Sequence, residues 1–300
     1  MSTIYTHAEA NARKTWLYLA GFFLLIIAVG WMISYFLQSQ AVLWLAVVIS
    51  VLISFISYWH SDKIVLALSR AKPIKKEDNP ELYRTVENLC ITAGLPLPRI
   101  YILNEAQPNA FATGRDKNHA VIAVTRGLLE KLNKTELEGV IAHELSHIGN
   151  KDMLLSTIIV VLVGVVVIMT DFFFRVSFRG NWGGGKKGNQ AKMLMMLAAL
   201  SLMILAPIFA QLIKMAISRK REFLADADGV LLTRYPEGLV RALEKISQDP
   251  NPLRAANDAT AHLYAVNPFR EGKKTSWLHK LFQTHPPVEE RIKALRGMTI

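Results

Sequence analysis

The sequence predicts a predominantly helical α+β protein with a small β-sheet, attached to a membrane by four hydrophobic helices. Two observations predict this fold class. Hydrophobic residues make up 51% of the 300 residues, which is high for a purely water-soluble protein. They concentrate in four runs without charged side chains, at residues 16–37, 41–59, 153–170 and 193–213. As a helix, each run roughly spans a hydrocarbon core of about 30 Å.

The first two runs predict an antiparallel hairpin, residues 1–60, because only residues 38–40 separate them. The first run stays attached to the protein, since it is longer than the apolar part of a secretion signal and no cleavage site follows it. Basic residues precede and follow the hairpin. By the positive-inside bias, both of its ends therefore lie on the cytoplasmic side.

The second pair of runs, residues 153–213, leaves its topology open. Its connecting segment, residues 171–192, carries basic side chains that oppose the positive-inside bias if both runs cross. Either the first hairpin sets the orientation regardless, or the second hairpin embeds without fully crossing, or the whole orientation is inverted. The first two alternatives are favoured because the first helix usually dominates. The flanking blocks, residues 61–152 and 214–300, emerge on the same face and are expected to form one water-exposed domain.

Composition and short motifs exclude several kinds of partner. The net charge of +11 reflects basic residues at the membrane boundaries, which anionic lipid headgroups explain better than nucleic acid does. Residues 180–186 match the glycine and lysine spacing of a phosphate-binding loop, but no strand precedes them, so nucleotide binding is not expected. Cys90 is the only cysteine, which excludes an intrachain disulfide and favours a small buried side chain over a reactive thiol.

The first water-exposed block predicts a helix followed by a small sheet. Asn79 caps a helix with proline at its first position, and this helix ends near Gly94. Residues 99–103 and 119–124 predict strands. Between them, residues 109–114 are short, partly apolar and ended by glycine, as an edge strand would be.

Two further helices follow the predicted sheet. Residues 125–132 resemble a short helix. Thr135 and Glu138 match a capping box, in which a hydroxyl and a carboxylate satisfy free amides at a helix start. This second helix is expected to continue to about Gly149.

A pair of histidines on that helix carries the first chemical signal. His143 and His147 are four residues apart, so their imidazoles project from one helix face and can chelate one metal ion. Glu144 lies beside the first histidine, where its carboxylate can act as a general base without being a ligand. A chance match to this pattern is expected in about one chain in a hundred.

A catalytic zinc ion needs a third protein ligand and an open fourth position. Residues 218–226 predict a helix that leaves the fourth hydrophobic run, with Glu222 and Asp226 four apart on one face. Glu222 could ligate the ion, while Asp226 accepts a hydrogen bond from a ligating histidine. The alternative is a solvated face whose carboxylates offset neighbouring basic residues.

With these residues, the chain resembles the HtpX-type membrane zinc metalloproteases, relatives of the CAAX-processing prenyl-protein proteases. The resemblance covers nearly the whole chain, including residues 143–147, 222–226, 109–112 and 284–287. It implies a gluzincin-like metallopeptidase domain and one zinc ion per chain. The implied ligands are His143, His147 and Glu222, and the implied catalytic base is Glu144.

The same resemblance implies a biological setting. The activity would be endopeptidase cleavage of misfolded or damaged membrane proteins, in quality control and the stress response. The enzyme would lie in the bacterial inner membrane as a multi-pass protein, with its active site facing the cytoplasm.

Four further positions have weaker support. In the family's pattern Asn109 lies beside the cleft, where strand addition could bind an extended substrate, although a plain turn asparagine fits too. His285 and Arg291 match donors that steady an oxyanion, although a salt bridge closing the domain would also explain them. Asp152 either caps the next helix, which is favoured, or contacts a metal-ligating residue.

Three other functions compete with this interpretation. A prenyl-protein processing peptidase would share every site residue, but four hydrophobic runs argue against a large enclosed chamber. A membrane scaffold with structural zinc is disfavoured by the intact Glu144 and by only three apparent ligands. A transporter is disfavoured because the hydrophobic runs lack buried charges.

Overall fold

The computed structural model describes residues 4–37, 39–162, 219–251 and 286–298, with a few isolated positions between them. The sheet and helices occur along the chain in an order close to that expected from the sequence. They are α1 (Ile4–Leu37), α2 (Gln40–Leu68), β1 (Lys72–Pro73), α3 (Pro80–Ala93), β2 (Arg99–Leu103), β3 (Ala110–Thr113), β4 (Val121–Thr125), α4 (Arg126–Lys131), α5 (Lys134–Gly149), α6 (Asp152–Leu162), α7 (Arg219–Thr233), α8 (Pro236–Ser247) and α9 (Val288–Arg296).

The first two helices pack against each other and are long and apolar enough to cross a membrane. Their candidate spans are Arg13–Trp31 and Leu43–Leu68. Only 11% of the α2 span is buried inside the protein, so most of its apolar surface faces outward. Apolar surface at this length and exposure is suited to contact with lipid.

The second hydrophobic hairpin is described only at its beginning. Helix α6 covers the first part of the third run and follows α5 after a bend of 86°. Most of residues 163–218 lies outside the described residues. Among the described residues, two helices are long and apolar enough to cross a membrane, or three if α5 and α6 count as one bent span, and the expectation of four stays a prediction.

The sheet is mixed, with strand order β1-β2-β4-β3. Strands β2 and β4 are parallel, and β3 lies antiparallel to β4 at one edge, as the edge-strand prediction required. The second predicted strand begins at Val121, two residues later than expected. Residues 117–119 instead form a short 3-10 turn, because the Asp116 carboxylate accepts hydrogen bonds from the amides of Asn118 and His119.

Helix α3 confirms its predicted ends, since the Asn79 side chain accepts from the Leu82 amide and Gly94 adopts a left-handed φ of 63°. The capping box of α5 differs from the prediction. It consists of Asn133 and Glu136, each accepting from the other's main-chain amide. Thr135 instead donates its hydroxyl to the Asn133 side chain, because asparagine two residues earlier already occupies the cap position.

Helix α5 lies at the centre of the water-exposed part and packs against α3, α7, α8 and β3. Most of its side chains are buried, so it lacks the polar face of a surface helix. At Gly139 the main chain of α8 approaches so closely that an added Cβ would lie 2.7 Å from the Leu239 nitrogen. This central position holds the two histidines of α5 rigidly inside the domain.

Candidate metal centre and active site

Helix α5 presents His143, Glu144 and His147 at the place where α7 crosses it. The imidazoles of His143 and His147 lie one turn apart, with ring centroids separated by 4.8 Å. The His143 side chain is 2% exposed and that of His147 is 17% exposed. The pair is therefore buried on the His143 side and reaches the surface at His147.

Helix α7 brings Glu222 and Asp226 to the two histidines. Both carboxylates are buried, which contradicts the alternative of a solvated face. The crossing is close because Gly229 lies on the same face of α7, where an added Cβ would approach the His143 main-chain nitrogen to 3.0 Å. Glycine at this position allows α7 to lie directly against the histidine helix.

The donor atoms of His143, His147 and Glu222 converge, all lying within 4.8 Å of one another. The Glu222 carboxylate oxygens are 3.9 Å from His143 Nε2 and 3.6 Å from His147 Nε2. Ligands about 2.0–2.1 Å from a tetrahedral zinc ion lie about 3.3 Å apart. The two distances to Glu222 exceed this value by about 0.6 and 0.3 Å, so a modest movement of the side chains would fit a zinc-sized ion.

Each imidazole also contacts a carboxylate through its Nδ1 atom, on the side away from Glu222. Asp226 Oδ1 is 2.9 Å from His143 Nδ1, as predicted, and Asp152 Oδ2 is 3.3 Å from His147 Nδ1. A carboxylate that accepts from Nδ1 keeps the proton there and leaves the Nε2 lone pair for a metal. Asp152 therefore contacts a candidate ligand, which is the alternative that the sequence had disfavoured.

Two arginines hold these outer carboxylates. Arg291, on α9, is 1% exposed and donates from Nε and Nη2 to the two Asp226 oxygens, at 2.9 and 2.6 Å. Burial alone would raise the pKa of Asp226, but the charge and hydrogen bonds of Arg291 lower it to about 2. Arg221 Nη1 donates to Asp152 Oδ1 at 3.1 Å.

The charges around the donor atoms leave room for a divalent cation. Four carboxylates, those of Glu144, Asp152, Glu222 and Asp226, are opposed by the two guanidinium groups of Arg221 and Arg291. With both imidazoles neutral and all four carboxylates ionised, the two remaining negative charges would match a dication. Buried charges are stable only when paired or ligated, so a bound divalent ion would satisfy this cluster.

The pKa of Glu144 is raised by burial, and the neighbouring histidines partly oppose the shift. The side chain is buried beside His143 but is not one of the three converging donors. It is therefore placed to exchange a proton next to the metal position without occupying it.

Comparison with known proteins assigns the chain to a family. A model of peptidase family M48 matches residues 76–299, which contain every described residue of this site. The chain belongs to peptidase family M48. Within this family it is an HtpX-type protease, a membrane metalloprotease.

Relatives support the assignment over the full length. This M48 peptidase is 42% identical to a protease HtpX homolog from Thermoanaerobacter pseudethanolicus, over 99% of both chains. It is 44% identical to the homolog from Thermococcus sibiricus, over 88% of this chain and 89% of that one. A crystal structure of S. mikatae Ste24p aligns with a TM-score of 0.47 and 19% identity, over 89% of this chain and 62% of that chain.

Two other predicted positions of the M48 peptidase are Asn109 and His285. Asn109 is buried at the start of β3, and its main-chain amide and carbonyl both bond to Thr125. Since main-chain bonds alternate along an antiparallel pair, the outward-pointing groups of β3 belong to Ala110 and Ala112. His285 lies outside the described residues.

Sequence reasoning missed the contributions of Arg221 and Gly229. In the sequence, Arg221 is one of several basic residues that follow the fourth hydrophobic run. Gly229 had a detectable signal, because a glycine inside a helix, on the face that carries Glu222 and Asp226, indicates close helix contact. No comparable signal exists for Arg221, since its partner Asp152 is distant in the chain.

Proposed function

We propose that this M48 peptidase is a zinc-dependent endopeptidase that cleaves membrane proteins. The observation that carries the proposal is the convergence of three donor atoms from α5 and α7, with Glu144 beside them. Two imidazoles and one carboxylate form a donor set that zinc favours in catalytic sites. One zinc ion per chain would be held by His143, His147 and Glu222.

A bound zinc ion would supply an activated water and polarise the peptide carbonyl. Glu144 takes up a proton as the water attacks, and returns it to the departing amine. Asp226 and Asp152 keep the two imidazoles in the orientation in which Nε2 faces Glu222.

Substrate is proposed to bind in an extended conformation beside β3, the terminal strand of the described sheet, once this buried edge next to α5 is uncovered. Ala112 and the Ala110 carbonyl carry the main-chain groups directed away from β4 for strand addition, whereas the Ala110 amide is already donated to the Asn109 side chain, which orders this edge. Arg291 acts indirectly: it holds the Asp226 carboxylate, and Asp226 in turn orients the His143 imidazole. His285 is proposed as a donor to the developing oxyanion.

The proposed biological role is quality control of misfolded or damaged proteins in the bacterial inner membrane, as part of the stress response. Helices α1 and α2 anchor the chain, and the basic residues around them favour a cytoplasmic active site. An attached protease of this kind reaches substrates in the same bilayer. Protease protection of the domain in inverted and right-side-out vesicles measures the orientation.

The function is tested with full-length protein in detergent, comparing wild type, Glu144→Gln and Glu222→Ala. Metal content is measured by mass spectrometry and cleavage with casein. We expect Glu144→Gln to keep zinc but lose cleavage, since only proton transfer is removed. Glu222→Ala should lose both, because one of three ligands is absent.

The matched control is Glu138→Gln, a half-buried carboxylate on the same helix that is not among the converging donors. It should leave zinc content and cleavage unchanged. Undiminished cleavage by Glu144→Gln would refute its role as base. Full zinc content without any cleavage in wild type would favour a structural metal and overturn the proposal.

A further inference from the structure

A cavity of about 540 Å³ lies where α2 meets one end of the sheet. None of the residues of the metal centre lines it. Its wall combines aromatic and charged side chains from α2, the start of β2 and the segment before β4. The lining includes Phe55, Trp59, Lys63, Arg99, Arg115 and His119.

The α2 wall of the cavity changes from aromatic to cationic along one helix face. Phe55, Trp59 and Lys63 are spaced four residues apart, so their side chains share this face. Phe55 and Trp59 belong to the apolar part of the candidate span and are 58% and 45% exposed. Since charged side chains first appear just beyond Trp59, the boundary of the hydrocarbon core lies at this level.

The sheet side of the cavity supplies two arginines. The Arg115 guanidinium lies over the Trp59 ring, 4.7 Å from its centroid. Arg115 Nη2 donates to His119 Nε2 at 2.7 Å, and His119 Nδ1 faces Asp116 at 2.8 Å. Arg115 is thereby held on the aromatic residue that marks the membrane boundary.

The charges that line the cavity are mainly positive. Arg99 is paired with Asp62 at 2.6 Å, yet its side chain is still 48% exposed. Lys63 makes no ion pair or hydrogen bond with any residue in the described part of the chain. Arg115 Nε likewise pairs with Asp116, at 3.3 Å. Two of the three lining cations are therefore already paired with carboxylates, and Lys63 has its ammonium group available for an anion.

We infer that this cavity binds the headgroup of an anionic phospholipid. The phosphate lies among Lys63, Arg99 and Arg115, and the acyl chains follow Phe55 and Trp59 along α2. A soluble phosphate would use the cations but not the aromatic face, which continues into the membrane span. Cationic and apolar contacts at the bilayer boundary together match a lipid.

The inference is tested by native mass spectrometry of delipidated full-length protein, titrated with phosphatidylglycerol, phosphatidylcholine or inorganic phosphate. We expect one phosphatidylglycerol to bind at a concentration about fivefold or more below that needed for phosphatidylcholine. Lys63→Glu should abolish this preference, and Arg115→Gln should weaken it. Lys293→Gln, an exposed lysine on α9, is the control and should retain it.

Circular dichroism melting first establishes that each variant is folded, and Arg115→Gln provides the test if Lys63→Glu is not. Equal binding of the two lipids would overturn the inference. So would unchanged preference in the Lys63 and Arg115 variants, or saturation by inorganic phosphate that displaces the lipid. The readout is lipid binding, so the result is independent of proteolysis.

Discussion

Asp226 Oδ1 lies 2.9 Å from His143 Nδ1, joining two helices that are distant in the chain. The contact assigns a role to each nitrogen of the His143 imidazole. Nδ1 donates to the carboxylate, and Nε2 faces Glu222 across the candidate metal position. We therefore expect the affinity of His143 for a metal ion to depend on Asp226.

Replacing Asp226 with asparagine removes its charge but preserves its shape. We expect Asp226→Asn to lower zinc affinity by about 10- to 100-fold, because a neutral amide no longer raises the basicity of His143. Competition with a fluorescent zinc chelator measures the change. Asp228→Asn is the control, since Asp228 is on the same helix and contacts Asn150 instead. Equal affinities for both variants would contradict the assigned contact.

Removing Arg291 should mainly affect stability. Arg291→Met leaves the Asp226 carboxylate buried without its partner, which costs about 3–5 kcal/mol of unfolding free energy. Arg296→Gln, on the same helix, breaks only an exposed pair with Glu244 and should cost less than about 1 kcal/mol. Thermal or denaturant unfolding measures both.

A double variant separates this ion pair from general packing. Because Asp226→Asn removes the unpaired charge, the combination with Arg291→Met should lose less stability than the sum of the single losses. Strictly additive losses would show that the two side chains do not stabilise each other.

Gly229→Ala should separate α7 from α5. The added methyl group meets the His143 main chain, which cannot rotate away as a side chain could. We expect weaker zinc binding and lower casein cleavage, although alanine favours helix over glycine by about 1 kcal/mol. Gly149→Ala is the control, since nothing lies within 4 Å of the added atom. If both variants keep wild-type zinc affinity, close helix contact is not required.

The Cys90 thiol should be unreactive in the folded protein, because burial raises its pKa to about 11. At pH 8 only about one thiol in a thousand is then ionised. The folded protein holds the thiol proton more tightly than the unfolded chain does. The resulting contribution to the free energy of unfolding is complete below about pH 9 and is lost as the pH rises through about 11. Iodoacetamide labelling at pH 8 should be slow in folded protein and fast after denaturation. Rapid labelling without unfolding would contradict burial of the thiol.

Local patterns predicted much of the secondary structure correctly. Asn79 and Gly94 delimit α3 through contacts within a few residues of the chain. Errors occurred where two local signals competed, as at α5, where Asn133 rather than Thr135 provides the cap. In such cases the choice depends on small differences in hydrogen bonding that composition does not reveal.

The spacing of His143 and His147 also predicted that the two imidazoles lie together, because helix geometry alone places the two rings on one face. Asp226 and Glu222 could be proposed for the same reason. The contact between Asp152 and His147 could not be derived in this way. It arises from the 86° bend between α5 and α6, at a residue for which the sequence favoured helix capping.

Short-range spacing and composition are enough to predict the candidate metal ligands, the membrane anchor and the family resemblance. Tertiary structure decided which groups meet: Arg291 with Asp226, Arg221 with Asp152, and Gly229 with the helix of His143. The physical reason is that buried charges must find partners at hydrogen-bonding distance. Which partner lies at that distance depends on how the helices pack.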